Sequence, residues 1–226
     1  MAAKVDFIQI LYNESQRAEL YPIARPYFSV GLTPYFENAI IAGVVPTLQA
    51  EHIGVASWRL RFKRTQSHVP IITGGADITE ERIVEKDADV CILTPHRPNH
   101  KPLAMASNWH GKAWDNAFGI FKGFIRSQGI KIPDELTYTI YENHFIARRE
   151  IYHAYVRDCL IPACDFVSRD DVFYAPSGYN NKKRDEVEKK RVHRLLGSDD
   201  WPIMPFILER LFSIYIQDKR YKVEPL

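Results

Sequence analysis

Three basic side chains, Arg59, Arg61 and Lys63, alternate with apolar residues directly after the apolar run of residues 53–57. If the backbone there stays extended, alternate residues lie on one face of a strand, so the three cations share a face. A guanidinium binds phosphate through a bidentate fork, and this row of cations has the chemistry to neutralise a diphosphate. The alternative interpretation is an exposed edge strand with a basic outer face, and alternation alone does not decide between the two.

The acidic residues are distinguished by their positions. Asp87-Ala88-Asp89 has the Asp-x-Asp spacing that holds Mg²⁺ or Mn²⁺ in many nucleotide-sugar enzymes. The pair precedes an apolar run instead of following one, which argues against a metal site and favours a cap between a helix and a strand. Glu209 lies in the apolar segment FILERLF, where an unpaired carboxylate is costly. We expect it to pair with Arg210 or with a more distant base, and a raised pKa is the alternative.

The histidines of the central region do not have the spacing of a known zinc site. His96, His100 and His110 have irregular spacing, so a polar, aromatic-lined loop is the favoured interpretation. Trp109 and His110 have the chemistry to stack on a sugar ring and to hydrogen-bond its hydroxyls, whereas the alternative is an aromatic anchor for a long loop. The chain has no GxSxG, P-loop or GxGxxG motif, which argues against serine hydrolases, P-loop NTPases and dinucleotide enzymes.

These residues must be positioned by elements that the hydrophobic pattern indicates. Residues 15–32 are expected to be irregular, and residues 182–196 are charged and helix-prone. Alternating strands and helices predict a single α/β domain over residues 1–226, with a central, largely parallel sheet flanked by helices. Ligands of such sheets bind beyond the carboxyl ends of the strands. The predicted strands cover residues 5–11, 53–57, 89–93 and 136–147, and the predicted helices cover residues 33–43, 79–86, 114–129, 148–166 and 203–216.

Composition narrows the partners and the compartment. Thirty basic and 28 acidic side chains give a net charge of +2, which is too even for a general nucleic-acid binder, although the basic clusters in residues 182–191 leave a local contact with nucleic acid or a membrane surface open. The three cysteines, Cys91, Cys159 and Cys164, form no disulfide framework and indicate a reducing compartment. The N-terminus lacks a signal-peptide core, and we expect a cytoplasmic protein, with the inner membrane face as the alternative.

Four segments together resemble small bacterial and phage-type glycosyltransferases of the GT-A kind, in particular those encoded in polysaccharide biosynthesis loci. They are EHIGVASWRLRFK, ADVCILTP, ENHFIARREIYHAYV and ILERLFSIYI. The resemblance implies a GT-A-like domain that transfers a sugar from a nucleotide-activated donor to a hydroxyl acceptor, in the biosynthesis of a surface polysaccharide.

The resemblance also assigns residues to the donor. It places Tyr12 and Asn13 beside the nucleotide, and Ser57-Trp58-Arg59 where metal-dependent relatives carry Asp-x-Asp. Because this chain has no acids at that strand end, we hypothesise that Arg59, Arg61 and Lys63 stabilise the leaving diphosphate in place of a cation. No cofactor is then required, and Mn²⁺ or Mg²⁺ is the alternative.

An inverting transfer needs a carboxylate that takes the proton of the acceptor. Asp200 is the first choice by a narrow margin, since related enzymes tend to keep an acid before the closing helix, although a helix cap explains it equally well. The other candidate catalytic residues are Glu142 and Glu209. The candidate acceptor-binding residues are Trp109, His110 and Asn143.

Two further functions belong to other classes. One is a phage-type transferase whose acceptor is a modified DNA base, in which basic residues would track phosphates locally. The other is a noncatalytic module that binds nucleic acid or carbohydrate through its basic segments and exposed aromatics. The sequence does not specify the donor sugar, the acceptor, the stereochemistry of transfer or the oligomeric state.

Overall fold

The computed structural model describes residues 4–29, 35–60, 78–94, 101–140, 142–178, 190, 193 and 200–226. The strands are β1 (Val5–Leu11), β2 (Ala24–Phe28), β3 (His52–Ser57), β4 (Val90–Ile92), β5 (Phe145–Arg148) and β6 (Val223–Pro225). The α-helices are α1 (Glu37–Val44), α2 (Glu80–Glu85), α3 (Pro102–His110), α4 (Lys112–Ser127), α5 (Arg149–Tyr155), α6 (Ile161–Val167) and α7 (Met204–Lys219). Short 3-10 helices cover Glu14–Glu19, Val45–Thr47 and Asp171–Tyr174, and a π-helix, Val156–Leu160, joins α5 to α6.

The strands form one mixed sheet in the order β2-β1-β3-β5-β4-β6. Strand β1 is parallel to β2 and β3, β4 is parallel to β6, and β5 is antiparallel to both β3 and β4. All the described strands except β5 therefore point the same way. The predicted α/β domain with a largely parallel sheet flanked by helices is confirmed, with one reversed strand near its centre. The amino end of β5 consequently lies at the same edge as the carboxyl ends of its neighbours.

Alternate residues of each strand face opposite sides of the sheet, and helices cover both sides. Ile8 of β1 and Val55 of β3 belong to the larger core cluster, to which helices α1, α4, α5, α6 and α7 contribute. Phe7 and Ala56, their neighbours in the chain, belong to the smaller cluster together with Ile83 of α2. The sheet is therefore the middle layer of three.

The elements with the strongest local pattern agree with the sequence predictions. The strands predicted at residues 5–11, 53–57 and 89–93 are β1, β3 and β4. Thr79 caps α2 as predicted, its hydroxyl accepting the Arg82 N–H at 3.4 Å. Gly129, with φ of +74°, follows α4 in the left-handed conformation that favours glycine.

Two predicted segments differ from the structure. Strand β2 lies within residues 15–32, where no regular element was expected, because its largely exposed sequence ARPYF carries no core pattern. Of the strand predicted over residues 136–147, only the last three residues are in a strand, because β5 begins at Phe145. Upstream of it, the Ile140 N–H donates to Ser213 Oγ at 3.0 Å and the Thr137 N–H to Gln217 Oε1 at 2.7 Å. Side chains of α7 thus take the hydrogen bonds that a neighbouring strand would otherwise make. The predicted helix at residues 182–196 lies outside the described residues, apart from residues 190 and 193.

The cysteines are free thiols, and Cys91 and Cys159 are buried. Burial raises the pKa of Cys91 to about 11 and that of Cys159 to about 12, so both remain protonated at neutral pH. Within the described ranges, no helix combines the length and the hydropathy needed to cross a membrane.

Candidate functional site

A buried polar pair lies where β3, β4 and β5 meet at one edge of the sheet. Val55 is paired with Phe145 across β3 and β5, so the residues after Val55 lie beside those that precede Phe145. The Ser57 hydroxyl and His144 Nε2 are 2.9 Å apart, and both side chains are buried. The Leu93 N–H, just beyond β4, donates to the His144 carbonyl at 3.0 Å. The backbone of His144 is therefore tied to the sheet, and its side chain to the end of β3.

The backbone directly before His144 has an unusual conformation. Glu142 and Asn143 both have φ of +55°, in the left-handed region that costs a residue with a side chain about 1 kcal/mol or more. The contacts that hold this turn include the Glu142 N–H, which donates to Glu209 Oε1, and the Asn143 side-chain amide, which donates to Asn38 Oδ1 at 3.3 Å. The turn brings Glu142 Oε2 within 3.8 Å of His144 Nε2. Asn143, a candidate acceptor contact, is itself buried in this frame.

Three carboxylates converge at this edge from separate elements. Glu209 of α7 pairs with Arg210 at 2.8 Å, which confirms the predicted ion pair, and Arg210 is only 2% exposed. Glu37 opens α1, and the Tyr12 hydroxyl at the end of β1 donates to its Oε1 at 3.1 Å. Burial, with smaller contributions from the negative charges of Glu142 and Glu209, raises the pKa of Glu37 to about 7. Near neutral pH, this carboxyl is therefore poised between its two protonation states.

The predicted donor residues lie partly beside this cluster. Strand β3 ends at Ser57, and the chain turns at Trp58 and Arg59, so the extended backbone on which the shared basic face depended does not continue there. Arg59 is exposed and its guanidinium stacks over the Trp58 ring, 5.7 Å from the centroid. The Arg59 N–H donates to Ser57 Oγ at 3.3 Å, which joins the turn to the buried pair. Arg61 and Lys63 lie outside the described residues.

Asn13 and Asp200 are each adjacent in the chain to a residue that contacts the start of α1, namely Tyr12 and Trp201. Asn13 is exposed and precedes the 3-10 helix that follows β1. Asp200 is half-buried, and the next residue, Trp201, packs edge-on against Phe36 with ring centroids 4.8 Å apart. Because Phe36 directly precedes Glu37, the segment that carries Asp200 borders the start of α1.

The aromatic candidates for acceptor binding lie at the end of α3. Trp109 is half-buried. His110 is 3% exposed. Its ring centroid lies 4.5 Å from that of Phe206 and 5.8 Å from that of Trp114, on which it stacks. Burial, with a smaller contribution from Arg210, lowers the pKa of His110 to about 4, so its ring is neutral at physiological pH. His110 is thus a buried ring packed against Phe206 and Trp114, and it presents little surface to a ligand.

Sequence reasoning missed Glu37, Asn38 and His144. The signal for His144 was its place directly after two polar residues and before a buried strand. Asn38 carried a weaker signal, a polar residue near the start of an otherwise apolar helix. Nothing in the sequence indicated that Glu37 lies beside Glu142, since 105 positions separate them and only tertiary packing brings helix α1 to the segment before β5.

The Asp-x-Asp motif lies at the opposite edge of the sheet, before β4. Arg148 Nη2 contacts Asp87 at 3.0 Å and Arg148 Nε contacts Asp89 at 3.4 Å. Asp89 also accepts the Lys222 N–H at 2.8 Å. These contacts agree with the structural interpretation that the position of the motif favoured. In the part of the chain that the structure describes, no three histidine, cysteine, aspartate or glutamate side chains are arranged to hold a metal ion.

The fold and the cluster define an α/β protein with a polar, carboxylate-rich convergence at the carboxyl edge of its sheet. No family model, no curated protein and no solved structure matches the chain.

Proposed function

We propose that the protein is a GT-A-like glycosyltransferase that moves a sugar from a nucleotide-sugar donor to a hydroxyl acceptor, a surface glycan in this proposal. One observation carries the proposal: Glu37, Glu142 and Glu209 converge with the Ser57 and His144 pair at the sheet edge where α/β proteins bind ligands. An inverting transfer to a hydroxyl needs a base that accepts the proton of the acceptor, and this edge supplies three carboxylates. The resemblance of four segments to GT-A glycosyltransferases supports the choice of a sugar.

The geometry argues against acyl transfer by a serine nucleophile. In a catalytic triad the serine and the acid bond opposite nitrogens of the histidine, so that the acid orients the ring. Here Ser57 and Glu142 both approach Nε2 of His144, at 2.9 and 3.8 Å. Ser57 is also only 1% exposed, which leaves its hydroxyl little access to a carbonyl. We therefore assign this pair to shaping the site.

The turn after β3 is the expected position of the leaving diphosphate. Trp58 offers an aromatic ring, and Arg59 stacks over it with its guanidinium exposed to solvent. A guanidinium at this point counters the charge that develops on the diphosphate as the sugar leaves. A diphosphate carries more than one negative charge, and we propose that Arg61 and Lys63, which follow in the chain, supply the further cations.

Thermal unfolding with a panel of UDP-, GDP-, CDP- and TDP-sugars tests the proposal without knowledge of the acceptor. A donor at about 100 times its Kd adds about 2.7 kcal/mol, which raises Tm by roughly 5–10 °C for a chain of this size. We expect one nucleotide class to produce such a shift and Arg59→Gln to reduce it. Arg157→Gln is the matched control, because Arg157 is equally exposed but pairs with Asp158 elsewhere. A panel in which no donor changes Tm would contradict the proposal.

A further inference from the structure

The three carboxylates of the site differ in the hydrogen bonds they already make. Glu209 Oε1 accepts the Glu142 N–H and Glu209 Oε2 accepts from Arg210 at 2.8 Å. Both of its oxygens therefore serve the frame: one holds the left-handed turn at Glu142 and the other neutralises a buried guanidinium. A carboxylate with both oxygens engaged in this way has a structural task, so we do not assign proton transfer to Glu209.

Glu142 also has a structural role, because it forms the left-handed turn that precedes His144. Its φ of +55° is maintained by the bond from its own N–H to Glu209, and its carboxylate lies 3.8 Å from His144 Nε2. This arrangement orients Glu142 towards the buried Ser57 and His144 pair. That pair is assigned above to shaping the site, so we do not assign proton transfer from the acceptor to Glu142.

Glu37 is placed differently. It begins α1, keeps part of its surface exposed, and lies against the end of β1. Among the described residues, the Tyr12 hydroxyl is the one side chain that bonds its carboxylate, through Oε1 at 3.1 Å. A phenol that donates to one oxygen restricts the rotation of the carboxylate, and a backbone hydrogen bond at Glu37 holds the same group. A carboxylate has about four lone-pair positions, so these two bonds leave it able to accept a proton.

We propose that Glu37 is the catalytic base of the site and that the Tyr12 hydroxyl positions it; this assignment rests on the function proposed above. In the step, the acceptor oxygen bonds to the anomeric carbon of the donor. The bond from that carbon to the diphosphate oxygen breaks, and its electron pair leaves with the nucleoside diphosphate. The proton of the acceptor hydroxyl passes to Glu37 and from there to solvent.

The surroundings of Glu37 suit this task. The groups that face it are Tyr12, directly after β1, Glu142 from the segment before β5, and Glu209 from α7. Burial and the two negative charges raise the pKa of Glu37 to about 7, while a backbone hydrogen bond at Glu37 and, to a smaller extent, the Tyr12 hydrogen bond oppose the rise. A base that titrates near the working pH combines availability in the ionised form with useful basicity.

The test measures release of nucleoside diphosphate from the donor that stabilises the protein most, with water as the acceptor, between pH 5 and pH 9. We expect kcat/KM of the wild type to rise with pH and to level off above an inflection near pH 7. Glu37→Gln should lower kcat by roughly 100-fold or more and remove the inflection, while the donor still raises Tm. Tyr12→Phe should move the inflection to higher pH, because the hydrogen bond that lowers the pKa of Glu37 is lost. Glu85→Gln, on the exposed surface of α2, is the matched control.

The outcomes separate the two proposals. An active wild type whose rate and pH profile are unchanged by Glu37→Gln overturns the assignment of Glu37 alone. Loss of donor-induced stabilisation in Glu37→Gln makes Glu37 a binding residue and also overturns it. A wild type that neither binds nor consumes any donor overturns the proposed function, and the assignment of Glu37 falls with it.

Discussion

The carboxyl of Glu37 makes the stability of the protein depend on pH in a direction that is unusual for a glutamate. Its pKa rises from 4.5 to about 7 in the folded protein. Below pH 4.5 both the folded and the unfolded chain are protonated at this position, and it adds no pH dependence. Between pH 4.5 and pH 7 the unfolded chain loses the proton first, so the free energy of unfolding falls as the pH rises.

Integration of this difference gives the magnitude. A shift of one pKa unit corresponds to about 1.4 kcal/mol, and the loss of stability between pH 5 and pH 8 amounts to about 2.5 kcal/mol at most. Glu37 keeps part of its surface exposed, and solvent screening reduces this figure, so we expect about 1–2.5 kcal/mol. Glu37→Gln removes the titrating group, and the variant should gain this amount relative to the wild type as the pH rises from 5 to 8.

Urea unfolding of both proteins at pH 5, 6, 7 and 8 measures the effect. Any constant change caused by the altered hydrogen bond to Tyr12 cancels in the comparison across pH. Glu85→Gln, which replaces an exposed glutamate, should run parallel to the wild type. A difference between wild type and Glu37→Gln that stays constant within about 0.5 kcal/mol would refute the argument that burial and neighbouring charge hold the proton on Glu37.

Three further predictions concern the packing around Gly54, the buried ring of His110 and the requirement for a metal ion. Gly54→Ala should destabilise the protein by about 1–3 kcal/mol in urea unfolding, because the new Cβ would lie 2.5 Å from Ile146 and 2.8 Å from Phe7. Unchanged stability would show that the sheet relaxes at this position. Between pH 7 and pH 5, the free energy of unfolding of the wild type should fall by about 2 kcal/mol relative to that of His110→Gln, since the unfolded chain takes up the proton that burial denies His110. Free energies of unfolding that change in parallel with pH in the two proteins would contradict this. Donor consumption should survive EDTA, and complete loss that Mn²⁺ restores would contradict a mechanism in which Arg59 and its neighbours replace the metal.

The elements predicted correctly are those whose pattern is local. The apolar run of β1 and the stripe of Trp114, Phe118, Phe121 and Ile125 on α4 carry their periodicity within one segment. Strand β2 was missed because an exposed edge strand has no such pattern. The false strand upstream of Phe145 has strand-like composition, but its backbone donors bond side chains of α7, a partner that composition does not reveal.

The candidate site divides in the same way. Position after a strand was enough to select Tyr12 and Ser57, since the carboxyl edge of a sheet is a general binding location. Glu142 and Glu209 were selected as carboxylates, yet their contact through the Glu142 N–H depends on a left-handed turn that no propensity favours for glutamate. Glu37 could not be selected, because its pKa depends on neighbours that come from other elements.

The sequence by itself determined the α/β class, the order of its main elements and the paired state of Glu209, because short-range periodicity and the cost of burying a lone charge are readable along the chain. Only the tertiary structure decided that β5 runs against its neighbours, and this reversal delivers Glu142 and His144 to the edge that Tyr12, Glu37 and Ser57 also occupy. The physical reason is that hydrogen-bonded strand pairing acts between segments tens of residues apart, so the proximity of these side chains is a property of the sheet and of none of its strands alone.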